Sequence, residues 1–158
     1  MAIVYKNGLL VDDSSFQGHS ITFGSLSGGK IVGKNTWDDW HLIPSSRPKV
    51  SLPGVQLNIV DIPGRDGGLD FSDYLTGQPV LSDRSGSWEF LVDNDHEDWM
   101  TIKTAIMDYL HGKRLQCALE DDPSYYYEGR FNLNEWRSES WNSVVVIDYV
   151  VGPSKKHV

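Results

Sequence analysis

Apolar and polar residues alternate in short runs along most of this chain, and the exception is a stretch of helical period at residues 93–112, DNDHEDWMTIKTAIMDYLHG. There Trp99, Ile102, Ala105, Ile106, Tyr109 and Leu110 recur at spacings of three and four, with Lys103, Thr104 and Asp108 on the other side. This predicts an amphipathic helix over about 95–111. Asn94 or Asp95 can cap its first turn, Glu97 and Asp98 put negative charge at the positive end of its dipole, and Gly112 can close the far end before Lys113 and Arg114. Charges recur within every turn or so, so the stretch is not a membrane span.

The remaining pattern reads as strands. Residues 2–5 and 9–11 flank a turn at Asn7-Gly8, 19–24 forms a further strand, and IVGKN follows the turn GSLSGGK. Residues 55–62 alternate through Val55, Leu57 and Ile59 before Val60 breaks the rule. Residues 87–92 place Trp88, Phe90 and Val92 on one face. Residues 115–120 alternate Leu115, Cys117 and Leu119, 125–136 make a returning strand that Gly129 can bulge, and 144–151, VVVIDYVV, is the most β-prone segment. Turns are expected at 121–124 and 138–142.

Two irregular stretches, 35–54 and 63–86, exceed the ~12–15 residues beyond which a loop in a compact domain usually has a function. Trp37, Trp40, Leu42 and Ile43 are too apolar to be left in water as a group, so the first loop folds back on the domain or meets a partner. The expectation is one domain over 1–158, with 1–30 its least defined part. It is mostly β (α+β), an antiparallel β-sandwich with one packed α-helix and long projecting loops.

Composition narrows the function. Six tryptophans, seven tyrosines and five phenylalanines favour a β-rich core, and a formal charge of −8 argues against gripping nucleic acid through phosphates or binding an anionic membrane. The lone Cys117 excludes an internal disulfide and, in an alternating strand, reads as a small buried residue. The start, MAIVYKNGLL, lacks the apolar core of a secretory leader, so the expected compartment is the cytoplasm until assembly or release.

Candidate chemistry is thin. Residues 24–30, GSLSGGK, imitate the first part of a phosphate loop, but Ile31 stands where Ser or Thr would hold magnesium and a strand follows where a helix is needed. Asp38, Asp39 and His41 form one acidic knot, for which a solvated turn competes with a glycosidase carboxylate pair. Asp93, Asp95, His96, Glu97 and Asp98 form another, explained by capping and lacking the glycine and terminal glutamate of a calcium loop. The histidines, His19, His41, His96, His111 and His157, show no metal-ligand spacing, and Tyr125, Tyr126 and Tyr127 must put at least one ring outside the core or at an interface. No catalytic residue, metal or cofactor is expected.

Several longer phrases resemble a family: NTWDDWHLIPSSRP (35–48), VDIPGRDGGLDFSDYLTGQPV (60–80), WEFLVDN (88–94), YLHGK (109–113) and LEDDPSYYYEGRF (119–131). From about Gly33 to Pro153 the chain is similar to the N-terminal, ring-forming domain of the distal tail proteins (Dit) of long-tailed phages that infect Gram-positive bacteria. The resemblance implies a β-sandwich with a packed helix and no catalytic residues. It implies six copies in a ring at the virion's tail tip, assembled in the host cytoplasm, which join tail tube protein to tail-tip hub and let DNA pass without specific binding. On this reading Trp37, Trp40, Asp61, Arg65, Asp66, Leu69 and Phe71 are expected at the subunit interface, and Glu120, Asp121 and Asp122 at the channel. A carbohydrate-binding module using Trp37 or Trp40, and a cell-wall hydrolase using Asp38 or Asp39, are the competing readings.

Overall fold

Two glycines of a tight turn start the main sheet. Gly28 and Gly29 both have positive φ, 61° and 78°, which lets strand β3 (Ile21–Ser27) fold straight back into β4 (Lys30–Asn35). The computed structural model describes residues 3–6, 9–12, 19–92, 99–138 and 143–158, with only the backbone described for 3–12, Trp99 and Ser138. Before β3, the strands β1 (Ile3–Lys6) and β2 (Leu9–Asp12) pair antiparallel with each other, while the turn expected at Asn7-Gly8 lies outside the described residues.

After β4 come β5 (Leu42–Pro44), β6 (Ile59–Asp61), β7 (Gly68–Asp70), β8 (Arg84–Val92), the helix α1 (Trp99–Leu110), β9 (Lys113–Leu119), β10 (Tyr125–Ser138), β11 (Ser143–Val151) and β12 (Lys156–His157). The main sheet runs β4-β3-β9-β10-β11-β8-β5, every pair antiparallel, with β12 added to the start of β10. β6 and β7 stand apart as a sheet of two.

The sandwich is realised as one sheet that curls until its halves face each other. β3 and β8 are four strand spacings apart, roughly 19 Å in a flat sheet, yet the rings of Phe23 on β3 and Trp88 on β8 are 6.1 Å apart. Phe131 on β10 packs edge-on to Phe23 at 4.9 Å, and Trp88 stacks on Tyr149 at 4.4 Å. Residues 36–41 tie the two sheet edges together: Thr36 N–H donates to Ile21 O at 2.9 Å, and Leu42 N–H donates to Thr36 O at 2.8 Å. Asn35 shapes this link, its side-chain oxygen accepting from the N–H groups of Trp37 and Asp38 as a local turn cap.

The helix covers one face of the curled sheet. Ile102, Ile106 and Leu110, spaced by four, are essentially fully buried, and the Tyr109 hydroxyl donates to Phe23 O at 2.9 Å. Gly112, with φ 73°, ends the helix and donates its N–H to Phe131 O. The expected acidic first turn, including Asn94, Asp95, Glu97 and Asp98, lies outside the described residues. Ala105, expected on the inner face, is exposed.

Two strand expectations need correction. Residues 55–62 do not join the main sheet; only Ile59–Asp61 is strand there, and Val55, Leu57 and Ile59 are all exposed, because this alternation serves a projection. Gly129 makes no bulge, which falls instead between Leu133 and Glu135. Gly129 is needed for close approach: a Cβ at this position would lie 2.0 Å from Val150 O.

Candidate functional site

Between Val50 and Arg84 the chain leaves the core and returns as a two-stranded arm. Its base is fixed by side chains of the core: Ser51 N–H donates to the Tyr149 hydroxyl at 2.9 Å, Ser51 Oγ to Ser85 O at 2.8 Å, and the Arg84 guanidinium to Pro153 O at 2.9 Å. Above the base the two legs are laced by Ser82 N–H to Gly54 O, Gln56 N–H to Val80 O and Phe71 N–H to Asn58 O, each 2.8 Å. The β6–β7 ladder follows, and Gly64 and Gly67, both with positive φ, turn the chain around Arg65 and Asp66 at the tip. Ten residues from Gly54 to Pro63 reach at most roughly 35 Å.

The arm displays apolar side chains to solvent. Among the described residues, fifteen large apolar side chains are exposed, and ten of them belong to it: Leu52, Val55, Leu57, Ile59, Val60, Ile62, Phe71, Tyr74, Leu75 and Leu81. Leu75 is 93% exposed and Tyr74 79%. An isolated two-stranded ribbon is marginally stable, and exposed apolar surface of this extent is more than a domain core leaves over. A cleft of about 410 Å³ opens among Leu57, Phe71, Tyr74, Leu75 and Val80.

Of the expected interface residues, Asp61, Arg65, Asp66 and Phe71 are exposed on the arm and Leu69 is half-buried there. Trp37 and Trp40 are corrected: both are buried, Trp40 against Phe23 and Tyr109, Trp37 edge-on to His41. The first irregular stretch folds back on the domain, Trp40 joining the core and Trp37 bordering a cleft beside β3 and β4. Tyr74 and Leu75 were not singled out from the sequence, although two large apolar residues in a run rich in turn formers, SDYLTGQP, were the available signal.

The acidic turn after β9 is tied to its own domain. Glu120 accepts from the Ser20 hydroxyl, Asp121 sits 3.0 Å from His19 Nδ1 and 3.7 Å from Arg47 Nε, and Asp122 pairs with Lys155 at 2.8 Å. Glu120, Asp121 and Asp122, the residues expected at the channel, thus each have a partner within their own domain.

Other candidates resolve into local structure. Asp39 accepts from Asn35 N–H at 2.8 Å and lies 3.8 Å from Lys34. A polar cleft of about 380 Å³ beside β3 and β4 is bordered by Ser20, Thr22, Asn35 and Glu120, whose groups bond one another: Asn35 Nδ2 donates to Ser20 Oγ and Thr22 Oγ1, both at 3.0 Å. Burial pushes the Cys117 thiol up to about 12, so it is inert as a nucleophile at neutral pH. The knot at Asp93, Asp95, His96, Glu97 and Asp98 lies outside the described residues.

In fold the chain is similar to a solved phage protein, SPP1 Dit (gp 19.1), described with its structure as a paradigm of the hub adsorption apparatus in phages that infect Gram-positive hosts. The TM-score is 0.62 at 17% sequence identity, over 88% of this chain and 52% of that one. The chain thus spans about half that protein's length. No family model matches this sequence, and no curated protein matches it. The fold shared with that protein is a mostly β fold with one packed helix, as the sequence phrases imply.

Proposed function

We propose that this chain is a structural, non-enzymatic subunit of a phage tail tip that closes into a homohexameric ring between tail tube protein and tail-tip hub, leaving an axial passage for DNA. The observation that carries the reading is the arm: an element with ten exposed apolar side chains that the core does not use, on a fold shared with a phage hub protein. Closed cyclic symmetry uses a head-to-tail interface, in which one patch of each subunit meets a different patch of the next. The arm is one such patch, with Asp61, Arg65, Asp66, Leu69 and Phe71 on it. The virion tail is then the protein's destination, after assembly in the host cytoplasm.

A carbohydrate-binding reading loses its main support, because the rings of Trp37 and Trp40 that would stack on sugar are inside the domain. Light scattering over a concentration series with negative-stain imaging, alone and with tail-tube subunits, tests the ring. Six-fold particles are expected. A chain that stays monomeric in both settings at high concentration removes the proposal.

A further inference from the structure

The arm has a chemical complement on the same fold. β4 is the outermost strand of the main sheet, and among the described residues no strand pairs with its outer edge. Along it run Lys30, Val32 and Lys34, alternate residues of one strand that project to the same side, and all three are exposed, Val32 at 50%. An apolar side chain thus stands between two lysines whose Cα atoms are each roughly 7 Å along the strand. Lys34 also lies 3.8 Å from Asp39, a half-exposed pair of little strength.

The arm offers the inverse arrangement. Its cleft has Leu57, Phe71, Leu75 and Val80 on its walls, interspersed with the uncharged polar residues Gln56, Asn58, Ser72 and Thr76, and the exposed carboxylates Asp70 and Asp73 stand next in the chain to the wall residues Phe71 and Tyr74. Over residues 52–83 five aspartates face a single arginine, so the whole arm is acidic where the β4 edge is basic. Within one copy both patches stay exposed, so they do not cover each other. We infer that the arm of one copy seats on β4 of the next, with Val32 entering the cleft and Lys30 and Lys34 facing Asp70 and Asp73. This rests on the ring reading above and supplies the second, unlike patch that a head-to-tail ring requires.

Exchanging the charges tests the contact. Lys30→Glu with Lys34→Glu on one variant, and Asp70→Lys with Asp73→Lys on another, should each weaken assembly by about tenfold or more, since like charges then meet at every boundary. An equimolar mixture should assemble again, because each arm now finds an edge of opposite charge. Thermal melting of the separate subunits verifies that both variants fold.

A second measurement does not depend on those folds. A chain carrying Val32→Cys and Leu75→Cys, mildly oxidised, should give a ladder of covalent oligomers that neither single substitution gives. The native Cys117 is buried and adds little background. Wild-type rings with both charge variants assembling normally and no ladder overturn this contact alone. A wild-type chain that is monomeric even with tail-tube subunits overturns the ring and the contact together.

Discussion

Tyr109 on the helix donates its hydroxyl to the carbonyl of Phe23, 2.9 Å away, where Gly24 and Gly33 face each other across β3 and β4. The glycines make that bond possible. A Cβ on Gly33 would lie 2.0 Å from Phe23 O and 2.7 Å from the Tyr109 hydroxyl. Tyr109→Phe should cost about 0.5–1.5 kcal/mol, the net value of one ordinary hydrogen bond. Gly33→Ala should cost more, since backbone must shift as well as the bond. Urea titration of both variants ranks them, and a milder effect for Gly33→Ala would contradict the close approach.

Core and arm should respond oppositely to truncation. Phe23→Ala removes a fully buried ring that touches Trp40, Trp88 and Phe131, and should cost about 3–5 kcal/mol in unfolding experiments. Leu75→Ala, at 93% exposure, should stay within about 0.5 kcal/mol. In assembly measurements, conducted with folded protein, Leu75→Ala should be the damaging one.

That division was half legible in the sequence. Strand alternation located β8, β9, β10 and β11 to within a few residues, because each buries one face and period two is then obligatory. The same alternation at Val55, Leu57 and Ile59 was read as a strand of the domain, since periodicity reports that one side will be covered and not by which molecule. Trp37 and Trp40 went the other way. A stretch with three prolines and three serines leaves open whether its rings meet the domain or a partner, but a six-residue link joining two sheet edges has to pass over the core, where Trp40 enters it and Trp37 is buried beside His41.

Arg65, at the exposed tip between Gly64 and Asp66, tests the boundary directly. Arg65→Glu should leave the melting temperature of the subunit unchanged and reduce ring assembly, with the reduction varying with salt as rim charges do. Equal loss of subunit stability and assembly would assign Arg65 to its own fold.

The contacts of the turn after β9 with its own domain can be tested through subunit stability. Changing Glu120, Asp121 and Asp122 together to lysine sets like charge against His19 (when protonated), Arg47 and Lys155 and removes the acceptor of Ser20. Each exposed pair is worth only ~0–1 kcal/mol, so a lowered melting temperature of a few degrees is expected, relieved in part by salt. Unchanged melting would mean that these contacts do not form in solution.

Acid sensitivity should involve Glu128. Hydrogen bonds from Lys156 and Arg114 hold its carboxyl below the usual glutamate range. A carboxyl depressed in the folded state stabilises the fold above its unfolded pKa and loses that contribution as pH falls through the folded one. Glu128→Gln should therefore be less stable than wild type at neutral pH, and the gap should close at acid pH once Glu128 is protonated. Paired melting curves from pH 7 down to about 2 follow it; a gap that does not narrow would rule out the ion pairs as its source.

The bond from Ser51 Oγ to Ser85 O places the two feet of the arm side by side. An excursion of some thirty residues thus begins and ends at nearly the same point of the domain, like a handle fastened at one place. Replacing residues 52–83 with a turn of about four residues would shorten a closed loop roughly eightfold, a gain of about 2 kcal/mol in closure entropy, and would leave β8, which begins at Arg84, whole. The domain is in this sense a chassis with an exchangeable fitting. The projection can be replaced, lengthened or re-coded in charge while the folding unit beneath it stays the same.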